Sequence, residues 1–175
     1  MADQLFGAQE PEENARAWAH DWFSYERYQV VHASYLRRLQ DEGLVLRDGL
    51  SFYESVDNAG ALVLVTIRGR LECCDDIAIR VDEKLDVRRG NTNRLEVVTR
   101  SYQYHAWVRQ RPGKPRRDLI RYDNSRAHDA RLHRHIFTRR SERIEPVALA
   151  DMPTLEGFVR QAIMMASNSI SDAAG

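Results

Sequence analysis

A run of alternating apolar and polar side chains, beginning near residue 60, is the feature that most limits how this chain can fold. Residues 61–71 are apolar and β-branched, residues 77–82 alternate strictly, and residues 95–109 form the longest alternating segment. A period of two residues is that of a β-strand with one buried face. A Pro- and Gly-containing turn follows, so residues 118–122 should return as an antiparallel partner, and a further short strand is expected at 136–139. The pattern therefore predicts an antiparallel sheet.

The strand predicted at 95–109 has two chemically different faces. One face should carry Tyr102, Tyr104, Ala106 and Val108, and the other Gln103, His105, Trp107 and Arg109.

Helical periodicity is found on both sides of these strands. A helix is expected over residues 11–42, because a proline and acids stand at its start and Gly43 follows as the C′ residue. Its apolar and aromatic positions recur at three- and four-residue steps: Trp18, Trp22, Tyr25, His32, Leu36 and Leu39. Pro153-Thr154-Leu155 opens a C-terminal helix. The fold class is thus predicted as α+β, an antiparallel β-sheet flanked by a long N-terminal helix and a C-terminal helix, with a helical extension at 1–50 and an α+β domain at 51–170.

Composition narrows the class of protein further. Hydrophobic residues make up 43% and charged residues 30% of the 175 positions, which is typical of a globular protein. No apolar run approaches the roughly 18 residues of a membrane span, and the N-terminus lacks the features of a signal peptide. Cys73 and Cys74 are adjacent, so we expect reduced thiols and a cytoplasmic location.

Charge is distributed unevenly along a chain whose net charge is zero. Residues 1–60 hold 5 basic and 11 acidic side chains, whereas residues 100–145 hold 13 basic and 5 acidic ones. A basic block of this kind is expected of a nucleic-acid site, and RNA is therefore a predicted partner. It is equally compatible with a solvated face that pairs with the acidic N-terminal region.

The segment 121–135, which reads RYDNSRAHDARLHRH, concentrates the chemistry of the chain. It contains three of the six histidines, and His105 lies on the strand just upstream. Imidazole exchanges protons near neutral pH, and guanidinium groups bind phosphate in a planar, two-pronged geometry. The combination indicates a site that handles a phosphate ester.

A ribonuclease that works without a metal ion would fit these residues. His133 and His135 could supply the base and the acid, because alternate residues of a strand would lie on one face. Arg121 could bind the phosphate, and Asp123 could orient a histidine. His128 is a further catalytic candidate. The substrate-binding candidates are Tyr104, His105, Asn124, Arg126 and Arg131.

Three other interpretations stay open. Asp123 and Asn124 could instead form an Asx-type turn with a purely structural role. The histidines and Asp123 could bind zinc or manganese, although the neighbouring arginines would repel a cation, and we predict no cofactor. A non-catalytic module that binds nucleic acid or protein is the alternative to an enzyme. No nucleotide-binding, hydrolase or zinc-protease motif occurs.

The order of five short motifs resembles the TumE-type toxins of bacterial and archaeal toxin–antitoxin systems. The motifs are Tyr102-Gln103-Tyr104-His105, Arg121-Tyr122-Asp123-Asn124, His128, His133-Arg134-His135 and Pro153-Thr154-Leu155. The similarity covers roughly residues 60–165, and Arg126-Ala127-His128 replaces the Pro-His-His that is usual in the family. The resemblance implies a growth-inhibiting toxin with a cognate antitoxin encoded beside it. Independently of the resemblance, the aromatic face of the N-terminal helix could be buried against a second copy of the chain, which would make the protein a homodimer.

Overall fold

The computed structural model describes residues 22–110, 115–124, 132–138 and 141–171, except for the side chains of residues 149 and 169–171. Two helices are present in this part of the chain, α1 (Tyr25–Asp41) and α2 (Leu155–Ser171), with a 3-10 turn at Leu149–Asp151. The strands are β1 (Phe23–Ser24), β2 (Val45–Asp48), β3 (Ser51–Val56), β4 (Leu62–Cys73), β5 (Ile77–Arg89), β6 (Leu95–Val108), β7 (Arg117–Asp123), β8 (His133–Phe137) and β9 (Glu142–Pro146).

The strands form one antiparallel sheet in the order β2-β4-β5-β6-β7-β8-β9, with β3 also pairing with β4 and β1 with β6. Consecutive strands are neighbours from β4 to β9, which is the topology expected when short turns join antiparallel strands. The three central strands, β4 to β6, are also the longest. They correspond to the three segments that the alternation predicted.

Both helices pack on the same face of the sheet and close the core there. Leu39 of α1 and Phe158 of α2 are fully buried, together with alternate residues of the central strands such as Ile67 and Ile79. The Phe158 ring lies 5.4 Å from that of Tyr104. The predicted α+β fold, an antiparallel sheet with a helix near each end of the chain, is confirmed.

The N-terminal helix begins later than its sequence pattern indicated. Ser24 is its N-cap, because the Ser24 side chain accepts a hydrogen bond from the Arg27 backbone N–H, and Phe23–Ser24 pairs with β6 instead. Trp22 therefore lies outside the helix, with the Arg88 guanidinium 4.1 Å above its ring. Trp18 and the expected start at residue 11 lie outside the described residues. The predicted end is confirmed, since Gly43 adopts φ +71° just after the C-cap Glu42.

Several strands also differ from the expectation. β2, β3 and β9 were not predicted, and β5 continues to Arg89 rather than ending near residue 82. β8 begins at His133, not at residue 136, so the His-x-His pair lies within a strand. Cys73 and Cys74 are free cysteines, the first buried and the second partly buried. No helix in the described part of the chain is long and apolar enough to cross a membrane. The division of the chain at residue 50 stays a prediction.

Candidate active site

The register of β6, β7 and β8 gathers the polar residues of the 121–135 segment on the sheet face opposite the helices. Asp123 pairs with His133 across β7 and β8, and Arg121 pairs with His135. On the other side of β7, His105 pairs with Arg121. Side chains at directly paired positions of an antiparallel sheet project from the same face, so these five residues share one surface. The predicted alternation of His133 and His135 onto one face is confirmed.

Asp123 is the centre of the cluster and is almost completely buried, with 2% of its surface exposed. Its Oδ1 lies 2.7 Å from Nε2 of His133, and its Oδ2 lies 2.8 Å from Nε of Arg121. Nε2 of His135 is 3.5 Å from the same Oδ2. A buried carboxylate needs such partners, because an unpaired buried charge is costly.

His135 is held by groups of both charges. Its Nδ1 lies 2.5 Å from Oε1 of Glu142 on β9, and its Nε2 lies 2.9 Å from Nη2 of Arg121. Burial lowers the pKa of His135 below its usual range, while the hydrogen bond with Glu142 opposes that shift. Both ring nitrogens of His135 thus have a partner, one a carboxylate and the other a guanidinium. The ring of His133 is 4.8 Å away, centroid to centroid.

Two residues of this cluster, Arg121 and Glu142, are partly exposed to solvent, whereas the two histidines are buried. The side chains of His133 and His135 are 5% and 1% exposed, whereas those of Arg121 and Glu142 are 28% and 43% exposed. A ligand coming from solvent would thus meet a guanidinium and a carboxylate before it met the imidazoles.

Comparison with known proteins identifies the family. A family model described as Toxin TumE matches residues 30–163. The chain belongs to the TumE toxin family. The match begins well before residue 60, where the resemblance was expected to start, and so it includes most of α1. No curated protein and no solved structure matches the chain. Membership of the TumE family implies a toxin of a toxin–antitoxin system, and with it a cognate antitoxin.

Not every residue predicted for the TumE site lies in the cluster. His105 shares its face but pairs with Asp118, with Nε2 2.8 Å from Oδ1, and burial lowers the pKa of its ring. Tyr104 lies on the opposite face, within the core beneath the helices. Asn124 accepts a hydrogen bond from the Tyr102 backbone N–H at 2.8 Å, so it fixes the end of β7 against β6. Arg126, His128 and Arg131 lie outside the described residues.

Sequence reasoning missed Glu142, which no motif or spacing marks. It reaches His135 only because β8 and β9 form a hairpin in which Phe137 is paired with Glu142. A second carboxylate outside the motifs is that of Glu83 on β5. It is buried on the helix-covered face, where the hydroxyls of Tyr28 and Tyr104 donate hydrogen bonds to Oε2 at 3.0 and 3.2 Å.

The same cluster includes a set of groups that could bind a metal ion. Asp123, His133 and His135 each offer one ligand atom, and the three atoms lie within 4.8 Å of one another. Two imidazoles and a carboxylate suit zinc. The guanidinium of Arg121, however, lies within 3 Å of both Asp123 and His135 and brings a fixed positive charge into that space. Chemically, the arrangement fits proton transfer beside an anion better than it fits cation binding.

Proposed function

We propose that this toxin inhibits growth by cleaving RNA in the cytoplasm without a metal ion, at the cluster of Asp123, His133, His135 and Arg121. One observation carries the proposal. Two imidazoles lie 4.8 Å apart, each with a carboxylate oxygen within 2.7 Å, beside an arginine that is partly open to solvent. RNA cleavage through the 2′-hydroxyl needs a base, an acid and a cation, and these groups supply all three.

The proposed reaction is an in-line transesterification. His135 accepts the proton of the ribose 2′-hydroxyl as the 2′-oxygen bonds to phosphorus. His133 donates a proton to the 5′-oxygen as its bond to phosphorus breaks. The products are a 2′,3′-cyclic phosphate and a 5′-hydroxyl. Asp123 orients His133, in the way that carboxylates hold catalytic histidines.

Arg121 is proposed to bind the phosphate. Before RNA binds, the carboxylate of Glu142 occupies the position that a phosphate oxygen would take. Oε1 of Glu142 lies 2.5 Å from Nδ1 of His135 and 3.9 Å from Nη2 of Arg121. A phosphate oxygen at the same position would contact both of these nitrogen atoms. The Glu142 side chain is partly exposed and can rotate into solvent. An incoming phosphate would therefore replace one anion with another, without leaving Arg121 unpaired.

Single substitutions of the two histidines test the proposal. His133→Ala and His135→Ala should each abolish growth arrest and reduce the cleavage rate of RNA by at least about a hundredfold, the range found for general acid–base groups. The wild-type product should carry a 2′,3′-cyclic phosphate, and EDTA should leave the rate unchanged. His32→Ala is the matched control, because His32 is equally buried but lies on α1, away from the cluster.

The outcomes separate the alternatives. Folded histidine variants that remain fully toxic would overturn the catalytic assignment. RNA binding that weakens steeply with salt, with no cleaved product, would favour a non-catalytic binder. That alternative has some support, because Arg68, Arg70 and Arg80 project from the cluster's face of the sheet and are more than half exposed. Loss of cleavage in EDTA that zinc restores would point to the metal interpretation instead.

A further inference from the structure

The two edges of the sheet differ in how well they are protected. In the part of the chain that the structure describes, β3 pairs with β4 alone, and all six of its residues are exposed, including Phe52, Tyr53 and Val56. β9, at the other edge, carries three charged residues and ends in Pro146. Charge and proline are the usual means by which an edge strand is kept from pairing with another chain. β3 has one charged residue and no proline, and no pairing with its outer edge is found among the described residues.

A cavity of about 450 Å³ lies beside this edge, between α1 and β3. The helix contributes one continuous stripe to it: Gln29, His32, Ala33, Leu36, Arg37 and Gln40. Phe52 closes the cavity from the strand side, with its ring 5.3 Å from that of His32. The cavity thus lies between the helix stripe and the sheet edge formed by Asp48 and Phe52.

His32, one of the residues that line the cavity, has a polar atom without a partner among the described residues. Its side chain is buried, and Nε2 makes no hydrogen bond among the described residues. The helix side of the cavity is therefore lined by a buried imidazole as well as by apolar groups.

The charge along the edge indicates what kind of chain fits there. Residues 48–63 contain three acidic residues and no basic one. Within β3 itself Glu54 is the one charged residue, and Asp48 and Asp57 flank the strand. A partner segment with basic side chains would be attracted to these acids.

We propose that β3 is the docking edge for the cognate antitoxin, which adds an extended segment of alternating apolar and basic residues to the sheet. Its apolar side chains would enter the cavity under α1, while its backbone would pair with Ser51–Val56. The proposal rests on the toxin family and not on the ribonuclease chemistry. Because the site lies at the edge farthest from β8 and β9, antitoxin binding and RNA cleavage can be tested independently.

A matched pair of helix variants tests the docking edge. Ala33 lines the cavity and Ser34, the next residue, does not, yet both are exposed on the same helix. Ala33→Trp should fill the cavity and weaken the affinity for the antitoxin encoded by the adjacent gene at least tenfold, measured by calorimetry with the full-length chains. Ser34→Trp should leave the affinity unchanged. Phe52→Lys gives a second route to the same loss, and Met164→Lys, on α2, is its control.

Hydrogen exchange identifies the mode of binding. Every second backbone N–H of an edge strand points away from the sheet, so strand addition should slow exchange within residues 51–56 and leave residues 142–146 unchanged. Equal affinities of the Ala33→Trp and Ser34→Trp variants, or protection confined to β9, would overturn the proposal. So would a chain that is dimeric alone and becomes monomeric with Ala33→Trp, because the edge would then join two copies of the toxin.

Discussion

At the scale of single residues, the exposed carboxylate of Glu142 offers the most direct test of how the site opens. If Glu142 occupies the place of a phosphate oxygen, Glu142→Ala should tighten the binding of RNA several-fold, since nothing then competes for Arg121 and His135. The dissociation constant for an RNA with a 2′-deoxy substitution at the cleavage position, measured by fluorescence anisotropy, reports this.

Glu145→Ala is the control for Glu142. It removes a carboxylate of the same strand, but one that pairs with Arg134 on the other face of the sheet. RNA binding should therefore stay at the wild-type level. Weaker binding by Glu142→Ala would mean that Glu142 orients His135 and does not compete with substrate.

Glu83 leads to a prediction about stability and pH. Burial raises its pKa from the usual 4.5 to about 7, in spite of the hydrogen bonds from Tyr28, Tyr104 and Thr99. A folded-state pKa above the unfolded value means that the folded protein binds the extra proton. Its stabilising effect is therefore complete below about pH 4.5 and is lost as the pH rises through 7.

The variant Glu83→Gln isolates this contribution, because its amide does not titrate. Between pH 5 and 8 the wild type should lose roughly 2–3 kcal/mol of unfolding free energy more than the variant does. Urea unfolding at the two pH values measures the difference. Parallel pH dependences of the two proteins would show that Glu83 is ionised throughout or is equally shifted in the unfolded chain.

At the scale of elements, prediction succeeded where one periodicity persists over many residues. β4 and β6 lie within a residue or two of their expected bounds, and α2 begins where Pro153-Thr154-Leu155 placed it. The prediction missed β2, β3 and β9, which are short edge strands without a buried alternate face to mark them.

Alternation also placed His133 and His135 on one face. It could not reveal their contacts with Asp123 and Glu142, because these depend on the register between strands, which is a tertiary property.

The close crossing between β4 and the β2–β3 junction gives a prediction at the same scale. A Cβ at Gly69 would lie 2.1 Å from the carbonyl oxygen of Gly49 and 2.8 Å from Cα of Leu50, both backbone atoms that cannot move aside alone. Gly69→Ala should therefore destabilise the protein by about 1–3 kcal/mol and weaken antitoxin binding at the adjoining edge. Gly157→Ala, in the first turn of α2, meets only ordinary contacts and should be neutral or slightly stabilising. Chemical denaturation of both variants measures the contrast.

At the scale of the whole molecule, the sheet separates three tasks. The face beneath the helices holds the buried core, the opposite face carries the cluster proposed for catalysis, and the β3 edge is the proposed docking site of the antitoxin. An antitoxin bound at that edge would neutralise the toxin without blocking the cluster directly, unless other parts of the antitoxin reach across the open face. Measuring RNA binding by the toxin–antitoxin complex therefore separates two mechanisms. Lost RNA binding would mean that the antitoxin covers the cluster, and retained RNA binding would mean that it acts on the cluster from the β3 edge.

Helix α1 tests the proposed division of the chain at residue 50, because it packs against the domain from which that division would separate it. Tyr28, Leu36 and Leu39 of α1 belong to the buried core, and Tyr28 donates a hydrogen bond to Glu83. A chain that lacks residues 1–45 would expose the covered face of the central strands and leave Glu83 with one fewer partner. It should lose cooperative thermal unfolding and aggregate, because truncating even one buried leucine costs about 2–5 kcal/mol. A chain that begins at Trp22 keeps every described contact and serves as the control. If the shorter chain instead unfolds cooperatively and remains monomeric, residues 51–170 form a domain of their own and α1 is an independent appendage.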